Sequence, residues 1–181
     1  MARLYLIRHG EAAAAWGQHD DPGLSPLGQK QAADAAYKLG ALKPAQAITS
    51  PLMRCRETSA AFEMESGLVA RVEPCVTEIP TPEGISDRPA WLRQAMAGAW
   101  GALPGHAQWR RELIDGLVAL QEDTAVFTHF VAINVALGAA TNNDAVTIFR
   151  PANCSITVFD TDGARLQLVA QGDENAAVPV L

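Results

Sequence analysis

Leu4-Tyr5-Leu6-Ile7-Arg8-His9-Gly10-Glu11 is the stretch that decides how this chain is interpreted. Its four apolar residues predict a buried strand, and an arginine and a histidine follow where that strand ends. In open α/β sheets, ligands bind at the carboxyl ends of the strands. Arginine presents a rigid fork of donors that suits phosphate, and histidine can act as a nucleophile or as an acid and base near neutral pH. The stretch therefore indicates chemistry on a phosphoryl group.

Outward from this stretch, predicted strands alternate with predicted helices. Ser25-Pro26 and Ser50-Pro51 both resemble helix starts, with serine as the N-cap and proline in the first turn. Gly40 resembles the stop of the first of these helices. The predicted strands are residues 3–7, 45–49, 68–72 and 124–128, and the predicted helices are residues 25–39, 50–64, 90–100, 107–122 and 130–137.

The remaining strands form a predicted hairpin of residues 155–159 and 165–170, joined through Asp162-Gly163. Strands that alternate with helices favour a three-layer α/β/α sandwich around a mostly parallel central sheet. In such a sheet His9 and His129, which both follow predicted strands, can face one crevice. The exposed hairpin is a candidate surface for a homodimer.

Length and composition set further expectations. We expect one domain over residues 1–181, with a small cap or insertion at about 79–109 that begins in a proline-rich loop. A net charge of −6 argues against nucleic acid as a partner. No apolar run is long enough for a membrane span or shaped like a signal peptide. Three widely spaced cysteines without a C-x-x-C pair predict buried free thiols in a reducing compartment, so we expect a cytoplasmic protein.

Four pieces of the sequence, in order, resemble the histidine phosphatase superfamily, the phosphoglycerate-mutase-like proteins. They are Leu6 to Glu11, Leu24 to Gln29, Ser50 to Thr58, and Thr128-His129 after a strand near the C-terminus. The resemblance spans roughly residues 4–159 and implies the phosphoglycerate-mutase-like fold. It implies a metal-independent phosphatase of the histidine acid type, a phosphoric monoester hydrolase, with no cofactor and a phosphorylated small molecule as substrate.

The resemblance also implies roles for individual residues. His9 would attack phosphorus and become a phosphohistidine, while Arg8, Arg54 and His129 would hold the phosphoryl oxygens. Arg56 is a second candidate for the phosphate, but two residues apart on a helix the two arginines do not share a face. Arg54 lies closer to the helix N-terminus, where anions are favoured, and matches the family's position.

A general acid is needed to protonate the leaving oxygen. In the family this is a glutamate in the loop after the third strand, which matches Glu78 by position, with Glu83 as the near alternative. His9 must be neutral to attack, and adjacent positive charge lowers its pKa. No histidine pair has metal-ligand spacing, so no metal site is predicted.

The chain departs from the family's mutases in ways that favour a phosphatase. Ala12 to Ala15 stand where the glycolytic mutases have Ser-x-Trp-Asn, and the segment between Glu78 and Glu122 is shorter. A mutase or a phosphohistidine-protein phosphatase is the alternative within the family. Glu78 favours phosphomonoesters, because a phosphoramidate leaving group needs less protonation. A non-catalytic module that binds a phosphorylated ligand is the alternative outside catalysis.

Other residues are expected to shape specificity or to fill the core. Phe130 follows the second histidine, where the family often has glycine, and either narrows the pocket or packs into the core. Trp16 is a further specificity candidate, and His19 and His106 are expected to be exposed. The tryptophans in and beside the 79–109 region are expected mainly in the core: Trp91, Trp100 and Trp109. The nearby arginines either contact a second anionic group on the substrate or are solvated: Arg88, Arg93, Arg110 and Arg111.

Overall fold

The computed structural model describes residues 1–14 and 20–175, which form a six-stranded sheet flanked by helices. The strands are β1 (Ala2–Arg8), β2 (Gln46–Thr49), β3 (Ala70–Val72), β4 (Thr124–Thr128), β5 (Ile156–Thr161) and β6 (Leu166–Ala170). The helices are α1 (Pro26–Leu42), α2 (Met53–Ser66), α3 (Arg88–Met96), α4 (Ala107–Val118) and α5 (Phe130–Thr141). Short 3₁₀ turns cover Pro74–Val76, Trp100–Ala102 and Pro104–His106.

The sheet is mostly parallel, as the sequence predicted. Its strand order is β3-β2-β4-β1-β5-β6, in which the first four strands run parallel and the hairpin β5-β6 is added antiparallel to β1. β1 and β4 are direct neighbours, with Arg8 level with Thr128. The residues that follow these two strands, His9 and His129, therefore emerge at the same edge of the sheet.

Alternate side chains of β1 explain why helices cover both faces of the sheet. Leu4 and Leu6 join one buried cluster, which contains side chains from α4 and α5. Tyr5 and Ile7 point the other way and join a second cluster, which contains side chains from α1 and α2. Because successive side chains of a strand face opposite sides, a four-residue apolar run places a core on each face. The three-layer α/β/α expectation is confirmed.

The first helix starts where the sequence predicted and ends later. The Ser25 hydroxyl accepts the N–H of Gly28 at 3.0 Å, and Pro26 occupies the first turn. Gly40 does not stop the helix, contrary to the prediction. α1 continues to Leu42, and Lys43 takes the left-handed conformation with φ of +52° before Pro44. Packing against α2 keeps the glycine helical, and the following proline ends the helix.

The second helix begins at Met53, so the prediction that Ser50 caps it is wrong. Leu52 is the N-cap residue and makes no side-chain cap. Ser50 instead lies fully buried in the turn after β2, where its hydroxyl oxygen is 2.8 Å from Nε2 of His129 and accepts the N–H of Leu52 rather than one within the helix. A Ser-Pro pair therefore marks the approach to α2 but not its first residue.

Smaller differences concern the middle of the chain. α3 begins at Arg88, two residues early, because Asp87 accepts the Ala90 N–H as its N-cap. α3 ends at Met96 rather than near residue 100, and α4 ends at Val118 rather than near residue 122. Within the described part of the chain, no helix combines the length and apolarity needed to cross a bilayer.

Three predictions about burial are corrected or refined. His106 was expected to be exposed but is buried, stacked on Trp91 with ring centroids 5.6 Å apart. Of the three cysteines, Cys55 is buried, whereas Cys75 and Cys154 are only partly buried. All three are free thiols, as expected.

Candidate active site

His9 follows β1 and has its ring orientation fixed by the backbone. Its Nδ1 lies 2.7 Å from the carbonyl oxygen of Gly10, which can only accept, so Nδ1 bears the proton and Nε2 keeps its lone pair. The same turn is held by Thr58 Oγ1, which accepts the Gly10 N–H at 3.0 Å. Asn153 donates from Nδ2 to the His9 carbonyl at 2.9 Å. With the proton on Nδ1, Nε2 is the ring nitrogen that can act as a nucleophile.

Arg54, in the first turn of α2, links the two histidines of the site. Its Nε donates to His9 Nε2 at 3.2 Å, and its Nη2 lies 3.3 Å from Nδ1 of His129. Asp21 Oδ1 lies 3.9 Å from Nη1 of the same guanidinium. Arg56 is exposed on another face of the helix. The structure thus brings Arg54, and not Arg56, to the histidines.

His129 follows β4 and is fully buried beside His9. The ring centroids are 5.3 Å apart, in an edge-to-face arrangement. Nδ1 of His129 faces Arg54 and the Glu78 carboxylate, whose Oε2 is 3.7 Å away. Nε2 faces the opposite side, 2.8 Å from Ser50 Oγ. The two strand ends therefore meet at one site, as the sequence predicted.

Arg8 joins the site with one donor unused. Its Nη1 donates to the Pro151 carbonyl at 2.8 Å, and its guanidinium carbon lies 5.4 Å above the ring of Phe130. Its Nε is buried and has no partner among the described residues. Because a buried, unpaired donor is costly, this Nε is suited to an incoming anion. Phe130 is buried in the core, as one of the two expectations had it, and its ring lies beneath Arg8; it does not line either cleft beside His9.

Glu78 lies within the site, and Glu83 does not. Glu78 is 9% exposed, and its Oε1 accepts the N–H of Ile79 at 2.9 Å. Burial raises the pKa of Glu78, against the opposing effects of that hydrogen bond and of Arg54, Arg88 and Arg8. Glu83 lies exposed on the following loop. The loop is held by buried His106, whose Nε2 lies 2.9 Å from the Pro80 carbonyl oxygen.

Burial and positive charge keep both histidines neutral. The pKa of His9 falls to about 3, first because of burial and then because of Arg54. The pKa of His129 also lies well below its ordinary value, for the same leading reason. Sequence reasoning expected a low pKa for His9 from neighbouring positive charge, but burial is the larger cause. A neutral imidazole is the form that can attack an electrophile.

Two clefts meet at His9. One, of about 460 Å³, is lined by His9, Arg54, Glu78 and Arg88, among others. The other, of about 540 Å³, is lined by residues that include His9, Arg8, Arg93 and Asn153. Glu11 borders the second cleft, although its carboxylate accepts the Ser25 hydroxyl at 2.7 Å. Space for a ligand thus exists on both sides of the nucleophile candidate.

Some residues that support the site lie within the motifs of the sequence analysis but were not predicted to have a role in the site. Ser50 and Thr58 lie within the stretch that resembles the family, but their distance from His9 and His129 along the chain hid their contacts. Asn153 had no local signal, because it reaches His9 from 144 residues away. Trp91, Trp100 and Trp109 pack against the core, as expected. Trp16 and His19 lie outside the described residues.

Comparison with known proteins identifies the family of the chain. The model of the histidine phosphatase superfamily (branch 1) matches residues 4–174. The chain belongs to this family. Within residues 1–14 and 20–175, no group of three or more His, Cys, Asp and Glu side chains is placed to hold a metal ion.

Among curated relatives, this member of the family is similar to glucosyl-3-phosphoglycerate phosphatase of Mycobacterium tuberculosis. The two are 30% identical over 132 residues, or 70% of this chain and 51% of the relative. The chain therefore spans about half the length of the curated relatives it matches.

Solved structures share the fold. The mycobacterial glucosyl-3-phosphoglycerate phosphatase, solved as a complex with VO3, is 23% identical with a TM-score of 0.74, covering 96% of this chain and 100% of that one. Phosphoserine phosphatase of Entamoeba histolytica, solved with 3-phosphoglyceric acid, is 18% identical with a TM-score of 0.72, covering 97% of this chain and 98% of that one.

Proposed function

We propose that the protein is a phosphatase that hydrolyses a phosphomonoester of a small molecule through a phosphohistidine on His9, without a metal ion. The observation that supports this most directly is the position of His9 Nε2, which keeps its lone pair and lies 3.2 Å from Nε of Arg54. A nucleophile beside a guanidinium is the pairing that phosphoryl transfer needs.

In the proposed reaction, the Nε2 lone pair of His9 forms a bond to phosphorus while the bond from phosphorus to the leaving oxygen breaks. Glu78 gives its proton to that oxygen. Water then attacks the phosphohistidine, Glu78 takes a proton from the water, and inorganic phosphate leaves with His9 restored. The raised pKa of Glu78 suits it to this alternation of acid and base.

The negative charge that spreads over the phosphoryl oxygens is met by Arg8, Arg54 and His129. The unpaired buried Nε of Arg8 and the Arg54 donors that face both histidines support this assignment. Two guanidiniums and an imidazole N–H supply the electrostatic stabilisation that a metal ion provides in other phosphatases.

Glu78 also favours a phosphomonoester over phosphohistidine as the substrate. A phosphoramidate leaves with little help, whereas an alkoxide leaving group requires a proton. A buried carboxyl 3.7 Å from His129 is therefore an argument for ester hydrolysis.

We propose in addition that residues 79–109, which supply Arg88 and Arg93 to the two clefts, act as the cap over the substrate within one domain.

The relatives suggest the class of substrate, because the compounds in their names are phosphorylated carboxylic acids. The exposed Arg93, beside His9 and Arg8 in one cleft, is suited to bind a carboxylate.

We expect kcat/KM to be higher for phosphoserine than for phosphoethanolamine, which lacks only the carboxylate. Arg93→Ala should reduce the preference for phosphoserine. Arg111→Ala changes an arginine on the exposed surface of α4 and should leave that preference unchanged. Equal rates on both compounds in the wild type would contradict this substrate class.

The decisive experiment measures phosphate release from p-nitrophenyl phosphate in the presence of EDTA, for the wild type and His9→Ala. We expect activity that resists EDTA and disappears in the variant. Rapid quenching of the wild type should trap a phosphohistidine visible by ³¹P NMR. Activity lost to EDTA, or retained by His9→Ala, would overturn the proposal.

A further inference from the structure

The second histidine of the site has a requirement that the proposed function does not by itself meet. His129 is fully buried and its pKa is well below the ordinary value, so the ring is neutral and has only one N–H. The other ring nitrogen can then only accept a hydrogen bond. Which nitrogen bears the proton decides whether His129 can donate to a phosphoryl oxygen.

The two ring nitrogens face different surroundings. Nδ1 faces the site, 3.3 Å from Arg54 Nη2 and 3.7 Å from Oε2 of Glu78. Nε2 faces the protein interior, 2.8 Å from Ser50 Oγ and 3.4 Å from the sulfur of Cys55. To hold a phosphoryl group, His129 must bear its proton on Nδ1 and must find a donor for Nε2.

Ser50 can be that donor. Its oxygen accepts the N–H of Leu52 at 3.3 Å through one lone pair, which leaves its own hydrogen free to point at Nε2. The thiol of Cys55 lies 3.4 Å from the Thr128 carbonyl oxygen and donates there, so it does not compete for Nε2. Ser50 is itself fully buried, so bulk water does not reach the pair.

Without a phosphoryl group, Arg54 donates to Nδ1, and this favours the proton on Nε2 with Ser50 as its acceptor. A hydroxyl can reverse its role by rotation. When a phosphoryl oxygen takes the Arg54 donor, this preference reverses, and the complex selects the tautomer that has its proton on Nδ1. Both tautomers have one ring proton, so the charge of the site is the same in each.

We propose that Ser50 is a positioning residue: its hydroxyl donates to Nε2 of His129 and so holds the single ring proton on Nδ1, directed at the phosphoryl group. This inference rests on the proposed function, in which His129 contacts the phosphoryl oxygens. Ser50 itself touches neither the substrate nor His9 in this arrangement.

The test is ¹⁵N NMR of histidine-labelled full-length protein with saturating inorganic phosphate, because ring nitrogens with and without a proton differ widely in chemical shift. The His129 signals are assigned by their loss in His129→Gln. We expect the proton on Nδ1 in the wild-type phosphate complex and a mixture of the two tautomers in Ser50→Ala. A wild-type complex with the proton on Nε2 would overturn the proposal.

Kinetics on p-nitrophenyl phosphate give the second readout. Ser50→Ala should lower kcat about tenfold, the loss expected for one hydrogen bond, with a smaller change in KM. Ser50→Thr, which keeps the hydroxyl, should restore most of kcat. Ser59→Ala is the matched control, because Ser59 is a buried serine whose hydroxyl donates to the Arg56 carbonyl at 2.9 Å, away from His129.

Equal kinetics for Ser50→Ala and Ser59→Ala would overturn the positioning role. Failure of the proposed function has a different signature, since the phosphate complex would still report the Nδ1 proton while no phosphomonoester is hydrolysed. The two failures are therefore separable in one set of samples.

Discussion

Arg54 and Arg56 stand two residues apart on α2, yet only Arg54 directs its guanidinium at the histidines. We expect Arg54→Ala to lower kcat/KM by roughly 10²- to 10³-fold, as for the loss of one preorganised donor to a developing oxyanion. Arg56→Ala, on the exposed face, should change it less than about twofold. Steady-state rates on p-nitrophenyl phosphate measure both. Comparable losses in the two variants would show that the phosphate contact is assigned to the wrong residue.

The raised pKa of Glu78 predicts how activity changes with pH. The acid must be protonated, so the rate should fall as pH rises through the pKa of Glu78, and burial moves that fall to higher pH than for an ordinary glutamate. His9, with a pKa of about 3, stays neutral across this range, so it contributes no change in rate to the pH profile above about pH 3. In Glu78→Gln the alkaline limb measured on a simple alkyl phosphate should disappear.

The control for this prediction is the leaving group. Glu78→Gln should reduce the rate on an alkyl phosphate far more than on p-nitrophenyl phosphate, whose leaving group needs little protonation. A matched variant is Glu83→Gln on the exposed part of the same loop, which should behave as the wild type on both. Equal losses of Glu78→Gln on the two substrates would show that Glu78 is not the acid.

Residues at strand ends were the easiest to predict, because the sequence motif and the edge of the sheet indicate the same place. His9 and His129 meet for that reason. His106 was the opposite case, since its burial depends on stacking with Trp91 and on the Pro80 carbonyl, two contacts made only after the 79–106 segment folds back. Ser50 looked like a helix cap because Pro51 follows it, and its actual contact could not be predicted because the partner, His129, lies 79 residues further along the chain.

At the scale of elements, two glycines of α1 make a matched pair. A Cβ on Gly28 would lie 2.1 Å from the Glu11 carbonyl oxygen, so the start of α1 can approach the loop after β1 only because position 28 has no side chain. A Cβ on Gly40 would meet nothing closer than Cγ of Glu65, at 3.4 Å. The same substitution should therefore have opposite effects at the two ends of one helix.

We expect Gly28→Ala to lower the free energy of unfolding by about 1–3 kcal/mol, the usual cost of overpacking, and to lower kcat by displacing the loop that holds His9. Gly40→Ala should leave kcat unchanged and raise the free energy of unfolding by up to about 1 kcal/mol, because alanine favours the helix. Urea denaturation and p-nitrophenyl phosphate turnover measure the two quantities. A harmless Gly28→Ala would contradict the close approach.

The ends of elements were predicted less well than their existence. Gly40 offered the expected stop signal, but the helix passes through it and ends at Leu42, followed by the left-handed Lys43 and by Pro44. A glycine permits a helix to stop without requiring it, whereas Pro44 cannot continue the hydrogen-bonding pattern. Tertiary contacts between α1 and α2 decide between the two positions, and a single sequence does not contain them.

At the scale of the whole molecule, a chain of net charge −6 surrounds a site built from arginines and neutral histidines. Inorganic phosphate should therefore bind at the site and stabilise the native state, by about 2.7 kcal/mol at a hundredfold excess over its Kd. We expect Tm to rise in phosphate relative to chloride of equal ionic strength. Arg54→Ala should abolish most of this rise, and Arg56→Ala should preserve it.

The layered architecture followed from the order of strands and helices, whereas the neighbours of each strand did not. The sequence predicted a terminal hairpin but not that β5 pairs with β1, with Ala2 level with Thr161. That pairing depends on which edge of the sheet remains open once β4 has joined the other side of β1. Local patterns describe each strand but not this competition between distant partners.

The position of β1 between β4 and β5 has a consequence for biosynthesis. During synthesis β1 waits for Thr124–Thr128 before its first edge is paired, and for Ile156–Thr161 before its second edge is paired. At about 10 residues per second, that wait is on the order of 10 s, during which an apolar strand with two open edges is exposed to other nascent chains. The sheet is therefore complete only after β5 and β6 have been synthesised, and chaperones that shield β1 until then should influence the yield of the protein more than its final stability.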